Sequence, residues 1–217
     1  LLFELQAVDE QRRIADLGRQ LAKLPVHPRL GRILLAAQRE GGLSEALIIV
    51  AALTIRDPRE RPLEKQQAAD EKHRRFRDEH FDFTALLNLW NHYHEQARQL
   101  SKNQLRNLCQ AEFLSFVRMR EWHDLHQKLL ERVTRMGMRL NTEPASYDSL
   151  HRALLTGLLG HLGLKQKESI YLGARGRNFY LFPGSGLFRK RPRWVMAAEL
   201  VETTRLYACT AARIDPK

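Results

Sequence analysis

Four of the five residues from 189 to 193 are Lys or Arg. This segment, which we call the basic link, is the clearest candidate for a binding site in the chain. Aromatic residues flank it at Phe188 and Trp194. Guanidinium and ammonium groups attract a phosphate backbone, and aromatic faces stack on unpaired bases. The combination is therefore typical of a surface that binds single-stranded nucleic acid.

Other patterns that could do chemistry are incomplete. The Pro-Gly-Ser-Gly run at 183–186 lacks the spacing and the Lys-Ser/Thr ending of a phosphate-binding loop. Its serine has glycine on both immediate sides, which is not the spacing of a hydrolase nucleophile. His92 and His94 point to opposite sides of a helix, whereas His123 and His126 share a face but have no third metal ligand at a suitable spacing. The sequence therefore predicts no catalytic or metal site of its own.

The net charge favours the same class of partner. The chain carries 36 Lys and Arg against 25 Asp and Glu, a net charge of +11. From residue 165 onward 11 basic residues outnumber 4 acidic ones, so +7 of the +11 lies in the last 53 residues. Such an imbalance indicates a polyanionic partner. A basic surface that serves only solubility is the alternative.

The remaining composition describes a globular chain. With 43% hydrophobic residues, the 217-residue chain can bury the core of one or two domains. Cys109 and Cys209 lie far apart without a CxxC motif, which is typical of the reducing cytosol. The longest apolar run, residues 43–55, is too short to cross a bilayer, so no membrane span is predicted. The chain opens Leu-Leu-Phe-Glu-Leu without an initiator Met, which predicts a segment excised from a longer protein.

Caps and apolar spacing predict that most of the chain before the basic link is helical. Pro28 suits the first position of a helix that Gly41 would end. Asp82 and Ser101 are predicted to cap two later helices, and a last helix is predicted over residues 147–164. These helices form a body that positions the rest of the chain.

The only clear β signal runs from residue 178 to 216. Aromatic and β-branched residues alternate with other types there, and Pro or Gly breaks the runs. Pieces this short predict the strands of a small antiparallel barrel.

Several sequence blocks follow one another along the chain in a distinctive order. They are Leu17-Gly-Arg-Gln-Leu-Ala-Lys-Leu-Pro-Val-His-Pro-Arg-Leu30, the apolar helix predicted from Ala46, Ala69-Asp-Glu-Lys-His-Arg-Arg-Phe76, Leu86-Leu-Asn-Leu-Trp90, Phe113-Leu-Ser-Phe-Val-Arg-Met-Arg-Glu-Trp122, Phe182-Pro-Gly-Ser185 and Trp194-Val-Met-Ala-Ala-Glu-Leu200. Taken in this order, the blocks resemble the region that follows the motor of DEAH-box RNA helicases, and the resemblance spans nearly the whole chain. Arg-Met-Arg-Glu-Trp and Phe-Pro-Gly-Ser resemble the bacterial HrpA type in particular.

The resemblance implies an α+β chain with three parts. Residues 1–27 would be the C-terminal part of a winged helix, 28–145 a mainly α helical ratchet-like domain, and 146–217 an OB-fold-like antiparallel β-barrel. In similar proteins these parts pack on two RecA-like motor domains of the same chain, and single-stranded RNA threads between motor and accessory parts.

The resemblance also implies that catalysis belongs to the motor, which binds ATP and Mg²⁺. Neither a phosphate loop nor a DEAH box occurs in these residues. The segment is therefore expected to need no cofactor and to be inactive alone, while the parent protein is expected to be a cytoplasmic NTP hydrolase that moves along RNA.

We expect RNA contacts from both the barrel and the ratchet. For the ratchet residues, helix packing or ion pairing with Asp70 and Asp78 is the alternative role. Phe179, Phe182 and Trp194 could belong to the barrel core or stack on bases. The predicted contacts are Arg175, Arg177, Ser185, Arg189, Lys190 and Arg191 in the barrel, and His73, Arg74, Arg77, Asn88 and Asn91 in the ratchet.

Two other functions remain open from the sequence. One is a self-standing module that binds single-stranded nucleic acid. The other is a protein-docking scaffold whose basic barrel recruits an acidic partner.

Overall fold

The computed structural model describes residues 1–215. It divides into two compact units, of which the first joins Leu1–Thr54 to Trp122–Leu159 and the second joins Ile55–Glu121 to the residues from Gly160 onward. The last two residues of the predicted barrel domain, and the end of the β signal at residue 216, lie outside the described residues. The predicted boundaries near residues 27 and 145 stay a prediction.

The first unit is helical. Its helices are α1 (Asp16–Leu21), α2 (Pro28–Glu40), α3 (Leu43–Thr54), the later part of α7 (Phe116–Arg135) and α8 (Tyr147–Leu158). As predicted, Pro28 begins α2 and Gly41 ends it, with a φ of 71° that suits glycine.

Helices α2 and α8 pack closely because Gly157 has no side chain. A Cβ at Gly157 would clash with the carbonyl group of Arg29 and the side chain of Ile33. The core of this unit also holds Trp122, which is fully buried and whose indole N–H donates to the carbonyl oxygen of Ile48 at 2.9 Å. Close helix packing and the hydrogen bond of the buried Trp122 thus both stabilise the unit.

The second unit begins with a short 3₁₀ helix (Leu63–Lys65), followed by α4 (Gln66–Arg74), α5 (Asp82–Gln99), α6 (Lys102–Ala111) and the start of α7. Ser101 caps α6 as predicted, and Gln104 returns a hydrogen bond to complete a capping box. The predicted capping role of Asp82 is wrong. Phe81 occupies the N-cap position, and the carboxylate of Asp82 accepts hydrogen bonds from the barrel instead.

Five strands then close a barrel in the order β1-β2-β3-β5-β4. They are β1 (Leu162–Lys165), β2 (Ile170–Gly173), β3 (Asn178–Leu181), β4 (Trp194–Glu202) and β5 (Leu206–Arg213). All neighbours are antiparallel except β3 and β5, which are parallel. The predicted α+β class with a C-terminal barrel is confirmed, although the barrel contains this one parallel pair.

The sequence analysis missed the first two strands. The predicted last helix was too long, because α8 ends at Leu158 and Leu162–Lys165 form β1. The segment Leu-Gly-Leu-Lys is too short for periodicity alone to separate a helix from a strand. Pairing with β2 and β4 decides the outcome.

The barrel core is built around stacked aromatic rings. Tyr171 and Phe179 are fully buried, with ring centroids 5.6 Å apart and ring planes 12° from parallel. A Cβ at Gly163 would clash with the Phe179 ring, so β1 passes that ring only as glycine. Phe179 is therefore a core residue, whereas Phe182 is 42% exposed.

Candidate nucleic-acid interface

The basic link is a loop whose backbone is held by the barrel. It follows a 3₁₀ helix (Gly186–Phe188) and leads into β4. The hydroxyl of Tyr171 donates to the carbonyl oxygen of Pro192 at 2.8 Å. The backbone N–H of Lys165 donates to the carbonyl oxygen of Arg193, also at 2.8 Å. Arg191 adopts a φ of 44°, in the left-handed region. The loop is thus ordered before any ligand arrives.

The cations of the basic link differ in accessibility. The side chains of Arg189 and Arg193 are exposed. Lys190 is also exposed but forms an ion pair with the carboxylate of Glu79. Arg189 and Arg193 are therefore the cations most open to phosphate, and Arg193 was missing from the predicted contacts although the same RKRPR run contains it.

The predicted contacts Arg175 and Arg177 lie at the turn between β2 and β3. Arg175 is exposed and has a φ of 59°. The Nη2 atom of Arg177 lies 3.8 Å from Oε2 of Glu202, and both side chains are largely exposed. An exposed pair of this kind is weak, so Arg177 can exchange its partner for a phosphate at little cost.

Ser185 is bonded within the protein. It is 9% exposed, and its hydroxyl donates to Oδ2 of Asp82 at 2.6 Å and accepts from the backbone N–H of Leu187 at 3.1 Å. Asp82 also accepts from the backbone N–H groups of Gly186 and Ala211 at 2.8 and 2.9 Å. Burial raises the pKa of the Asp82 carboxyl, and these hydrogen bonds oppose that shift. Ser185 thus anchors the loop, and its contact with RNA stays a prediction.

Two of the ratchet residues are engaged with backbone carbonyl groups. His73 is 6% exposed, and its Nε2 lies 3.1 Å from the carbonyl oxygen of Glu112 and 3.2 Å from that of Phe113. Both partners are carbonyl oxygens, so Nε2 carries a hydrogen and donates, and burial lowers the pKa of His73. Asn88 donates from Nδ2 to the carbonyl oxygen of Phe76 at 3.2 Å. These contacts fit the alternative, structural role.

The other ratchet residues lie at the surface. Arg74 and Asn91 are exposed. Arg77 is half-buried, with Nη2 4.0 Å from Oδ1 of Asp70. Their contact with RNA stays a prediction.

A cleft of about 410 Å³ brings together three of the predicted residues, His73, Arg77 and Ser185. Two further arginines line it, Arg59 and Arg61, which the sequence analysis did not single out. Each of them faces a carboxylate: Arg59 binds Asp57 and Arg61 binds Asp70, both with an N–O distance of 2.7 Å.

These pairs leave little uncompensated charge in the cleft. Burial alone would raise the pKa of Asp57, but the guanidinium of Arg59 outweighs it and holds the pKa below its usual range. The cations of this cleft are thus already neutralised by ionised partners, unlike Arg189 and Arg193.

A second cavity, of about 150 Å³, is lined by aromatic rings and arginines. We call it the tyrosine pocket and define it by Tyr180, Tyr207, Phe188, Arg191 and Arg205. The Cζ atom of Arg205 lies 4.9 Å from the centroid of the Tyr180 ring, and that of Arg191 lies 5.8 Å from the Phe188 centroid. Of these residues, the sequence analysis singled out only Arg191 and Phe188.

Among residues 1–215, no helix is long and apolar enough to cross a membrane.

Three family models match consecutive parts of the chain. Residues 1–26 match the winged-helix part of the helicase associated domain (HA2), and residues 27–114 match its ratchet-like part. Residues 150–217 match the oligonucleotide/oligosaccharide-binding (OB)-fold. The closed five-stranded barrel lies within this last match.

The chain is similar along its whole length to curated helicases. It is 54% identical to the ATP-dependent RNA helicase HrpA of Escherichia coli over 100% of this chain and 17% of that protein. It is 53% identical to the HrpA homolog of Haemophilus influenzae over 96% of this chain and 16% of that protein. It is 27% identical to the pre-mRNA-splicing factor ATP-dependent RNA helicase prp22 of Schizosaccharomyces pombe, over 100% of this chain and 18% of that protein.

The chain thus spans about one sixth of the length of these relatives. The order of the matched parts, winged helix, ratchet and OB-fold, is the order that the resemblance implied. The chain therefore corresponds to the region of HrpA-type DEAH-box helicases that holds the helicase associated domain and the OB-fold.

Proposed function

We propose that this chain is the RNA-binding accessory region of an ATP-dependent RNA helicase that moves along single-stranded RNA. The observation that carries the proposal is the basic link, whose backbone the barrel holds while Arg189 and Arg193 stay exposed. The similar proteins are RNA helicases, which supports RNA as the polyanion.

An ordered basic loop suits repeated contact with a moving strand. Because its backbone is already held, binding a phosphate does not require the loop to be ordered first, and less binding free energy is lost. Contacts to phosphate carry no base information, so each step along the strand meets the same interaction. The surplus positive charge of the last 53 residues also attracts the strand from a distance.

The proposal assigns ATP hydrolysis to other parts of the longer protein. RecA-like motor domains would bind ATP and Mg²⁺ and pack against this region, because no phosphate loop or DEAH box occurs in these 217 residues. The compartment would be the cytoplasm. A reducing environment fits Cys109 and Cys209, which form no disulfide within residues 1–215.

The test is the salt dependence of RNA binding by the variant Arg189→Ala/Arg193→Ala. Each lost phosphate contact on a single strand should reduce the slope of log affinity against log salt by about 0.7, so two contacts should reduce it by about 1.4. The affinity should fall to a similar degree for oligonucleotides of different sequence. Binding would be measured by fluorescence anisotropy over a series of salt concentrations.

The matched control is Lys128→Ala/Arg132→Ala. Both residues are exposed on α7, and the change removes the same net charge outside the barrel. The control should retain the slope of the unmodified chain. Equal slopes for the basic-link variant and the unmodified chain would exclude the link as a phosphate contact.

A further inference from the structure

We infer that the tyrosine pocket holds a single unstacked base of the RNA whose phosphates contact the basic link. This inference rests on the proposed function and extends it, because it adds a base contact to the phosphate contacts. It concerns residues on β3 and β5, in the turn between β4 and β5, and in the segment that precedes β4.

The pocket is built on the one parallel strand pair of the barrel. Tyr180 on β3 and Tyr207 on β5 are register partners, and their ring centroids lie 6.3 Å apart with ring planes at 51°. Both rings are half-buried, so each keeps a surface open to a ligand. Tyr171 also lines the pocket, and the hydrogen bond from its hydroxyl to the carbonyl oxygen of Pro192 holds it in place.

The arginines of the pocket can stack as well as neutralise charge. Arg205 lies over Tyr180 at 4.9 Å, and Arg191 lies over Phe188 at 5.8 Å. A guanidinium plane that stacks on a ring presents its other face to a base, and arginine stacking of this kind is common in recognition of single-stranded RNA. The cavity of about 150 Å³ suits one planar ring system between these faces.

The charge of the lining separates this pocket from two other cavities of the second unit. The cleft at Ser185 includes Asp57 and Asp70, and a cavity at Trp194 includes Glu79 and Asp215. Among the described residues that line the tyrosine pocket there is no carboxylate. A nucleotide, which carries a phosphate with its base, therefore meets Arg191 and Arg205 here without a carboxylate beside them, whereas the cations of the other two cavities lie among carboxylates.

The pocket is also continuous with the basic link. Arg191 belongs to both, and it donates from Nε to the carbonyl oxygen of Phe188 at 3.4 Å, which holds it beside the rings. A strand with phosphates at the link would thus place a neighbouring base at the pocket.

The experiment compares RNA with and without bases. The 217-residue chain and the variant Tyr207→Leu would be titrated with a single-stranded RNA oligonucleotide and with an abasic ribose-phosphate strand of the same length. Stacking of one base on an aromatic ring is worth about 1 to 3 kcal/mol, which corresponds to a loss of about 5- to 150-fold in affinity for the RNA. Affinity for the abasic strand should change by less than about twofold, because the phosphate contacts remain.

Two further variants protect the comparison from folding defects. Arg205→Lys keeps the charge and removes the planar face at an exposed position, and it should show the same selective loss. Tyr147→Leu, an exposed tyrosine of α8 that lies outside the pocket, is the control and should bind both strands as the unmodified chain does. Thermal melts would show which variants are folded.

The results separate the pocket from the proposed function. Selective loss for Tyr207→Leu and Arg205→Lys supports the inference. If the chain binds RNA with the salt dependence given above but both folded variants retain the preference for bases, the pocket does not hold a base and the proposed function stands. If the unmodified chain binds neither strand, both are overturned, and binding of an acidic protein partner becomes the better explanation of the basic surface.

Discussion

Replacement of Asp82 by alanine should destabilise the second unit. The carboxylate connects the first turn of α5 to two separate parts of the barrel, the loop at Ser185 and Gly186 and the strand β5 at Ala211. Removing it leaves three donors without their acceptor.

The magnitude follows from how those donors can respond. The hydroxyl of Ser185 can rotate, but the backbone N–H groups of Gly186 and Ala211 cannot, and Ala211 is fully buried. A buried donor without a partner costs about 1 to 3 kcal/mol at Ala211, and the loss at the half-buried Gly186 adds about 1 kcal/mol. Burial raises the pKa of Asp82, which shows that the carboxylate itself is poorly solvated, so its removal returns part of this cost. We expect a net loss of about 2 to 3 kcal/mol.

Urea unfolding followed by far-ultraviolet circular dichroism would measure the loss. Ser185→Ala should cost about 1 to 3 kcal/mol, because Asp82 keeps its two backbone donors but the buried backbone N–H of Leu187 loses its acceptor. The control Asp124→Ala removes an exposed carboxylate on α7 and should stay within about 0.5 kcal/mol of the unmodified chain. If Asp82→Ala is as stable as this control, the carboxylate is not the anchor that the hydrogen bonds indicate.

Two further predictions concern the interior of the second unit. Because burial lowers the pKa of His73, the unfolded chain binds more protons in the range just below about pH 6.5, so the free energy of unfolding should fall as the pH drops through that value. His73→Gln keeps a donor for the two carbonyl groups and should make the urea midpoint depend less on pH between about pH 7.5 and 5.5; an unchanged dependence would assign it to other groups. Gly163→Ala should cost about 1 to 3 kcal/mol, because its Cβ would clash with the Phe179 ring. A thermal melt equal to that of the unmodified chain would show that the core can move aside.

The local elements that the sequence predicted correctly are those whose signals lie within a few residues of each other. Pro28 begins α2 because the first turn of a helix does not need its missing N–H, and Gly41 ends α2 because glycine readily adopts the left-handed φ there. Ser101 caps α6 through a partner three residues away. The resemblance to DEAH-box helicases rests likewise on blocks that can be read along the chain, and the comparisons confirm it.

Contacts between distant residues decided the rest. The apolar residues of β1 could continue α8, and only pairing with β2 and β4 makes them a strand. Asp82 has the position of a helix cap in the sequence, but its carboxylate accepts hydrogen bonds from Ser185, Gly186 and Ala211 of the barrel. Tyr180 and Tyr207 meet because β3 and β5 pair in parallel, a pairing that no local pattern indicates. The sequence by itself determined the helical body, the barrel and the family, whereas tertiary pairing alone decided which cations stay open and which rings form a pocket, because both depend on neighbours far apart in the chain.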